Sequence, residues 1–216
     1  MRTLAAQPKL FHITQIENLS PIVSVGCIEA DWRRSQQGSG QTSIGMTEIK
    51  RRRLCQIAVS CHPGTKVGEY VPFYFCPRSI MLYILHMGNH PDLFYRGGQR
   101  PILHLQADME AAIRWADEHG VRWAFSDRNA GSYYTDFYRT REELDKIDWN
   151  AVSATEFRDM KVKEGKQAEF LLHDACPWHL VEKIGVLNVA MRDQVNSILQ
   201  TAQHKPMVVI EKTWYY

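Results

Sequence analysis

The sequence predicts an α+β fold with mainly antiparallel strand pairing. Strand-like runs outnumber helical ones, and the helices fall between them without the steady βα alternation of a doubly wound sheet. The 216 residues contain no internal repeat, low-complexity tract or linker, which predicts one domain over 1–216 able to bury its core without disulfides or metal.

The first element is a short strand over 10–13. A helix over 15–24 follows, with Ile16, Leu19, Ile22 and Val23 on one face and Gly26 as its stop. Residues 30–42 (ADWRRSQQGSGQT) are polar and Gly-rich and read as a mobile loop; TSIGMTEIKRRRL reads as a short basic helix and CHPGTKVGE as a second loop. YVPFYFCP alternates aromatic and small residues as strands do, and SIMLYILHMG reads as a buried helix with Ser79 as N-cap. PILHLQA is a strand, Asp108 caps the helix MEAAIRWADEH, Gly120 stops it, and VRWAFSD is the next strand. Residues 127–167 are aromatic and charged, with weak helical periodicity at REELDKI; long irregular segments inside compact domains are usually functional or disordered, and this one reads as an ordered functional loop region. Strand AEFLLHD, a short turn CPWHLVEK, strand IGVLNV, a helix over 192–203 and strand MVVIEKTWY complete the chain.

A hydrophobic fraction of 44% and a charged fraction of 23% exclude a disordered chain, and a formal net charge of +2 is too small to demand a nucleic-acid partner by itself. The five cysteines, Cys27, Cys55, Cys61, Cys76 and Cys176, form no CxxC pair, which fits reduced thiols in the cytoplasm. No window approaches the roughly 18 to 20 apolar residues of a membrane span, and the N-terminus has no secretory apolar region; a soluble, untargeted protein is expected. His86 and His90 in HMGNH have zincin spacing without the glutamate, Cys61-His62 lacks a matching ligand set, and no P-loop, GxSxG or GxGxxG occurs. No metal is expected.

Glu169 interrupts the start of the apolar run Phe170-Leu171-Leu172. Two readings fit: the first residue of a strand with its side chain in water, or a carboxylate at a cleft edge that steadies positive charge or orients a ribose hydroxyl. His12 and Thr14 share a face of the first strand and are either structural or a donor–acceptor grip on a polar ligand. Lys50, Arg51, Arg52 and Arg53 cannot all face one way on a helix; two readings fit, a solvated face with one arginine folded inward or an anion site. Arg33, Arg34, Arg158, Lys161, Lys163 and Lys166 add positive charge, and Tyr133, Tyr134, Phe137 and Tyr138 add stacking surfaces, the mixture a single-strand groove requires.

Taken together, FHIT-QIENL, SIGMTEIKRRR, GEYVPFYFCPRSIMLYILHMG, PILHL, FSDRN, KQAEFLLHDACPW and the closing WYY resemble, in order and spacing, the DarT family of DNA ADP-ribosyltransferase toxins. The resemblance implies an ADP-ribosyltransferase fold, with a split, mainly antiparallel β core opening a cleft for NAD, and transfer of ADP-ribose from NAD to a base of single-stranded DNA, typically thymidine in a short sequence context. It implies that Glu169 is the catalytic glutamate and Arg53 the catalytic arginine. His12, Ile13, Thr14, Pro21, Ile28, Arg53 and Tyr74 are implied to bind NAD, Tyr74 as the central aromatic of a His-Tyr-Glu arrangement. Arg78, Arg128, Tyr133, Tyr134, Tyr138 and Arg158 are implied to meet the DNA, with the segment from Arg128 to Glu169 as the recognition loop. It also implies a monomer without a metal, opposed by a DarG-like macrodomain antitoxin. The competing readings are an ADP-ribosyltransferase or phosphotransferase acting on RNA or protein, and a non-catalytic nucleic-acid-binding module that would need neither Glu169 nor His12.

Overall fold

The computed structural model describes residues 8–37 and 44–216. In chain order it contains β1 (Lys9–Gln15), a 3-10 turn (Ile16–Asn18), α1 (Leu19–Val25), β2 (Cys27–Glu29), α2 (Asp31–Gln37), α3 (Thr47–Cys55), β3 (Tyr70–Tyr74) and α4 (Ile80–Met87). Next come β4 (Ile102–Asp108), α5 (Met109–His119), β5 (Trp123–Ser126), β6 (Phe137–Tyr138), α6 (Trp149–Ser153) and α7 (Met160–Gly165). The chain then forms β7 (Glu169–His173), β8 (Ala175–Pro177), β9 (Val181–Val186), α8 (Val189–Leu199) and β10 (Met207–Ile210). Eight strands form one sheet in the order β10-β9-β4-β1-β3-β7-β5-β6, and β2 pairs with β8 in a separate ribbon. Among the described residues only β10–β9 is parallel; the other pairings are antiparallel, as expected.

The sheet forks between β1 and β3. β1 follows β4 through seven residue pairs, and β3 follows β7 through five, yet β1 and β3 meet only at Phe11↔Tyr74. Pro72 supplies the physical reason. Its carbonyl faces β1, where it accepts a 2.9 Å hydrogen bond from His12 Nδ1–H. The N–H of a strand residue points to the same side as its carbonyl, so the donor that proline lacks is the one β1 would have used. A side chain therefore spans a gap where a backbone ladder would otherwise close.

One face of the sheet carries the main core, in which Phe73, Leu105, Phe125, Phe170 and Ile184 pack with α5 and α8. The other face is covered by two separate clusters. Leu82 and Leu85 of α4 join Ile13, Ile102 and Tyr215, whereas Ile57, Val59 and Val67 join Tyr70, Ala124 and Leu171. The fork lies between strands belonging to these two clusters, so the fold leaves an opening there.

Several boundaries differ from expectation. Residues 31–37 form α2 instead of a mobile loop, although WRRSQQ has no apolar stripe; its N-terminal Asp31 is held by Lys50 at 2.9 Å and Arg34 at 3.6 Å. The remainder of that expected loop, 38–42, lies outside the described residues. The strand expected over 10–13 continues to Gln15, which delays α1 to Leu19. The segment 127–167 contains β6, α6 and α7, whose helices are capped by Asp148 and Asp159 side chains. The expected turn CPWHLVEK instead supplies part of β8 and the start of β9, and α8 starts at Val189 because Asn188 caps it.

Candidate active site at the sheet fork

Glu169 is the first residue of β7 and sits beside the fork opposite Tyr74. Its side chain is 2% exposed, so the reading that placed it in water does not hold. Strand alternation turns Phe170 and Leu172 into the main core and leaves Glu169 on the opposite face, where the cleft opens. The last β5–β7 pair is Phe125↔Phe170; beyond it, the buried Ser126 hydroxyl accepts from the Glu169 N–H at 3.1 Å. A side chain thus fixes the backbone of the acid where the ladder stops.

A carboxylate this enclosed needs several donors. Arg53 supplies two, with Nη1 to Oε1 at 3.0 Å and Nη2 to Oε2 at 2.9 Å, in the fork geometry that guanidinium matches. The Ala130 N–H adds a third, to Oε1 at 3.0 Å. Burial would lower the Arg53 pKa, but the charge of Glu169 and its hydrogen bonds outweigh that and hold it above the ordinary arginine value.

Helical geometry distributes the basic run of α3. Arg51 reaches outward to Glu48, Arg52 lies 5.6 Å from the centre of the Tyr133 ring, and Lys50 and Arg53, three apart, turn toward the cleft. Asp31 at the start of α2 also faces the cleft; burial would raise its pKa, yet the charge and hydrogen bond of Lys50, with Arg34 and Arg53, bring it below the usual value.

Across the fork, His12, Ile13 and Thr14 form the β1 wall and Tyr74 the β3 wall. Burial pulls the His12 pKa down to about 4, so the ring is neutral at pH 7 with its proton on Nδ1 toward Pro72; Nε2 is left as an acceptor. Thr14 Oγ1 accepts from Asn18 at 3.0 Å. Burial and then the charge of Glu169 raise the Tyr74 pKa, so its phenol stays protonated. The cleft encloses about 1070 Å³ when its open mouth is included. Among the described residues, no group of three His, Cys, Asp or Glu converges on a metal position.

The structure therefore brings Glu169, Arg53, His12, Ile13, Thr14 and Tyr74 together. It does not bring Pro21 or Ile28 to the cleft lining: Pro21 is half-buried on α1, and Ile28 is buried in the main core. Tyr133 and Tyr134 are exposed, with Tyr133 donating to Gln56 of the segment after α3 at 2.6 Å. Tyr138 stacks on Phe125, so much of its ring belongs to the core. Arg128 pairs with Asp127, Arg158 is almost wholly exposed, and Arg78 lies over the Tyr216 ring in a second hollow. Lys166 turns inward and donates to the Val152 and Ala154 carbonyls, which removes it from the surface charge. Sequence reasoning missed Asp31, Asn129 and Gln167 as cleft residues. The signals were slight: a polar residue two before Glu169, in the turn that leads into β7, and an asparagine in a predicted loop.

The family model described as ssDNA thymidine ADP-ribosyltransferase, DarT, matches residues 11–216. The chain belongs to this family. A DNA ADP-ribosyl transferase from Thermus sp. (strain 2.9) is 38% identical over 218 residues, covering 100% of this chain and 99% of that protein. The solved structure of Thermus sp. 2.9 DarT in complex with ADP-ribosylated ssDNA superposes with a TM-score of 0.88 at 37% identity, covering 100% of this chain and 99% of the other. The same protein in complex with NAD+ gives a TM-score of 0.82 at 37% identity, with 99% and 100% coverage. The forked sheet is thus the ADP-ribosyltransferase fold of the DarT family, and the cleft lies at its fork.

Proposed function

We propose that this chain, acting as one domain over 1–216, transfers ADP-ribose from NAD to thymidine in single-stranded DNA and releases nicotinamide. The observation that carries the assignment of residues is the Arg53–Glu169 pair, enclosed at the fork of a DarT-family fold. Cleavage of the bond between nicotinamide and ribose C1′ sends its electron pair to the pyridinium nitrogen and leaves oxocarbenium-like charge on the sugar. The Glu169 carboxylate stabilises that charge more strongly in a partly dry cleft than water would. His12 Nε2 accepts from a ribose hydroxyl or the carboxamide, while Ile13, Thr14 and Tyr74 complete the NAD wall.

A ring nitrogen of thymine then forms the new bond to C1′ and loses its proton. Arg53 is too strongly protonated to be a resting base; it holds a base carbonyl or the NAD phosphates and relays the proton only transiently. The reactive nitrogen is engaged in pairing within a duplex, which favours single strands, and the exposed Tyr133 and Tyr134 are suited to stack neighbouring bases. Arg78, Arg128 and Arg158 are the proposed backbone contacts, with Tyr138 at the edge of that surface. We further propose a cytoplasmic monomer whose modification is removed by a DarG-like macrodomain antitoxin. Among the described residues, no helix is long and apolar enough to cross a membrane.

The test is mass spectrometry of matched single-stranded and duplex oligonucleotides, RNA and protein after incubation with NAD. The expected result is one ADP-ribose per thymidine site on the single strand, much less on the duplex, and none with Glu169→Ala. Modification of RNA or protein alone, or full activity of Glu169→Ala, overturns the assignment.

A further inference from the structure

Arg53 has two duties in the proposed reaction, one on Glu169 and one on substrate, so the acid needs another anchor whenever the guanidinium is drawn away. The Ala130 amide is placed to be that anchor. Ala130 is 0% exposed, and its N–H meets Oε1 of Glu169 at 3.0 Å. A backbone amide cannot leave unless its loop does.

The loop is fixed by Asn129. Its Oδ1 accepts from Gly131 N–H at 2.7 Å, its carbonyl accepts from Ser132 N–H at 2.9 Å and Thr135 Oγ1 at 2.6 Å, and its Nδ2 donates to Gln167 Oε1 at 3.0 Å. Gln167 in turn donates to the Lys163 carbonyl at 3.0 Å, tying this turn to α7. Gly131 lets the loop backbone lie on α3: a Cβ there would stand 3.2 Å from Ile49 Cγ2 and 3.5 Å from Arg53 Cγ. Asn129 is thus bonded on one side to the turn that presents the amide and on the other to the residue two before Glu169.

We infer that Asn129 and Gln167 are positioning residues for the reaction. They hold the Ala130 N–H on Oε1, so Glu169 keeps its aim when Arg53 turns to substrate and Oε2 becomes free for the ribose. This rests on the functional reading above, and two measurements separate the two.

The first is hydrogen exchange of the Ala130 amide by NMR, which needs no activity. Asn129→Ala should lose at least about tenfold of the protection at Ala130 while Leu171 in β7 keeps its own, and Glu169→Ala should deprotect the same amide. Unchanged protection in Asn129→Ala overturns the inference. The second is steady-state transfer to a single-stranded oligonucleotide. Asn129→Ala and Gln167→Leu should each lower kcat about tenfold or more with KM for NAD within about twofold, and the double variant should cost no more than the worse single. Normal kcat, or a loss confined to KM, overturns the inference. A parent chain that modifies no DNA counts against the functional reading, and the Ala130 amide then decides the inference.

Discussion

At the residue scale the decisive feature is a pair of groups that are each costly alone. A buried carboxylate with one guanidinium and one amide is stable because the donors are matched to its lone pairs, and removing one partner leaves a charge uncompensated. Arg53→Lys isolates the geometry from the charge. An ammonium is a point donor that does not reproduce the parallel pair of bonds to Oε1 and Oε2. We expect transfer to fall by about tenfold or more while the fold persists; oligonucleotide turnover by the variant at near-normal rate would show that guanidinium shape is not needed. Glu169 was legible in the sequence because a charge beside Phe170-Leu171-Leu172 demands an explanation. The choice of Arg53 among its basic neighbours rested on family resemblance. Its periodicity puts Lys50 on the same helix face, but composition cannot say which face meets the cleft.

At the element scale, α3 is the part that aims Arg53, and its seat is a close backbone approach. A Cβ on Gly68 would lie 2.7 Å from Leu54 Cδ2 and 2.8 Å from Leu54 Cα, so Gly68→Ala must displace the helix itself. The expected cost is about 1–3 kcal/mol, read as a lower thermal midpoint, together with reduced transfer because Arg53 moves with its helix. An unchanged midpoint and rate would show that α3 slides freely. Most elements were legible from caps and periodicity: Ser79, Asp108 and Gly120 sit where predicted. α2 was not, because charge pairs to Asp31 and Glu29 hold it instead of a buried stripe. β2 is too short to carry a pattern.

At the scale of the whole molecule, two neutral histidines couple the fold to pH. His104 lies fully buried in β4, donating from Nε2 to the Pro77 carbonyl at 3.0 Å, and burial pulls its pKa down to about 4. His12 is lowered in the same direction, again chiefly by burial. An unfolded histidine titrates near 6.5, so between about 6.5 and 4 the unfolded chain binds more protons than the folded one. The stability is therefore fully present above about pH 6.5 and is lost as pH falls toward 4, by up to about 3 kcal/mol for His104. Urea midpoints measured from pH 7 to 4.5 should fall steadily, and His104→Gln should flatten that slope even where it lowers the midpoint; an identical slope would exclude His104 as a source. The antiparallel sheet was legible in the strand patterns, whereas the split in it was expected from the family resemblance alone and its position from neither. The split arises where Pro72 happens to face β1, and orientation along a strand is set only once the neighbours are known.

The proline has a further consequence for how the molecule admits guests. Prising apart two ordinary neighbouring strands ruptures a row of amide–carbonyl links, and the sheet resists as a unit. Here, past the Phe11↔Tyr74 pair, the described residues join the two strands through one imidazole instead of such a row, which makes this the weakest-stitched seam of the sheet.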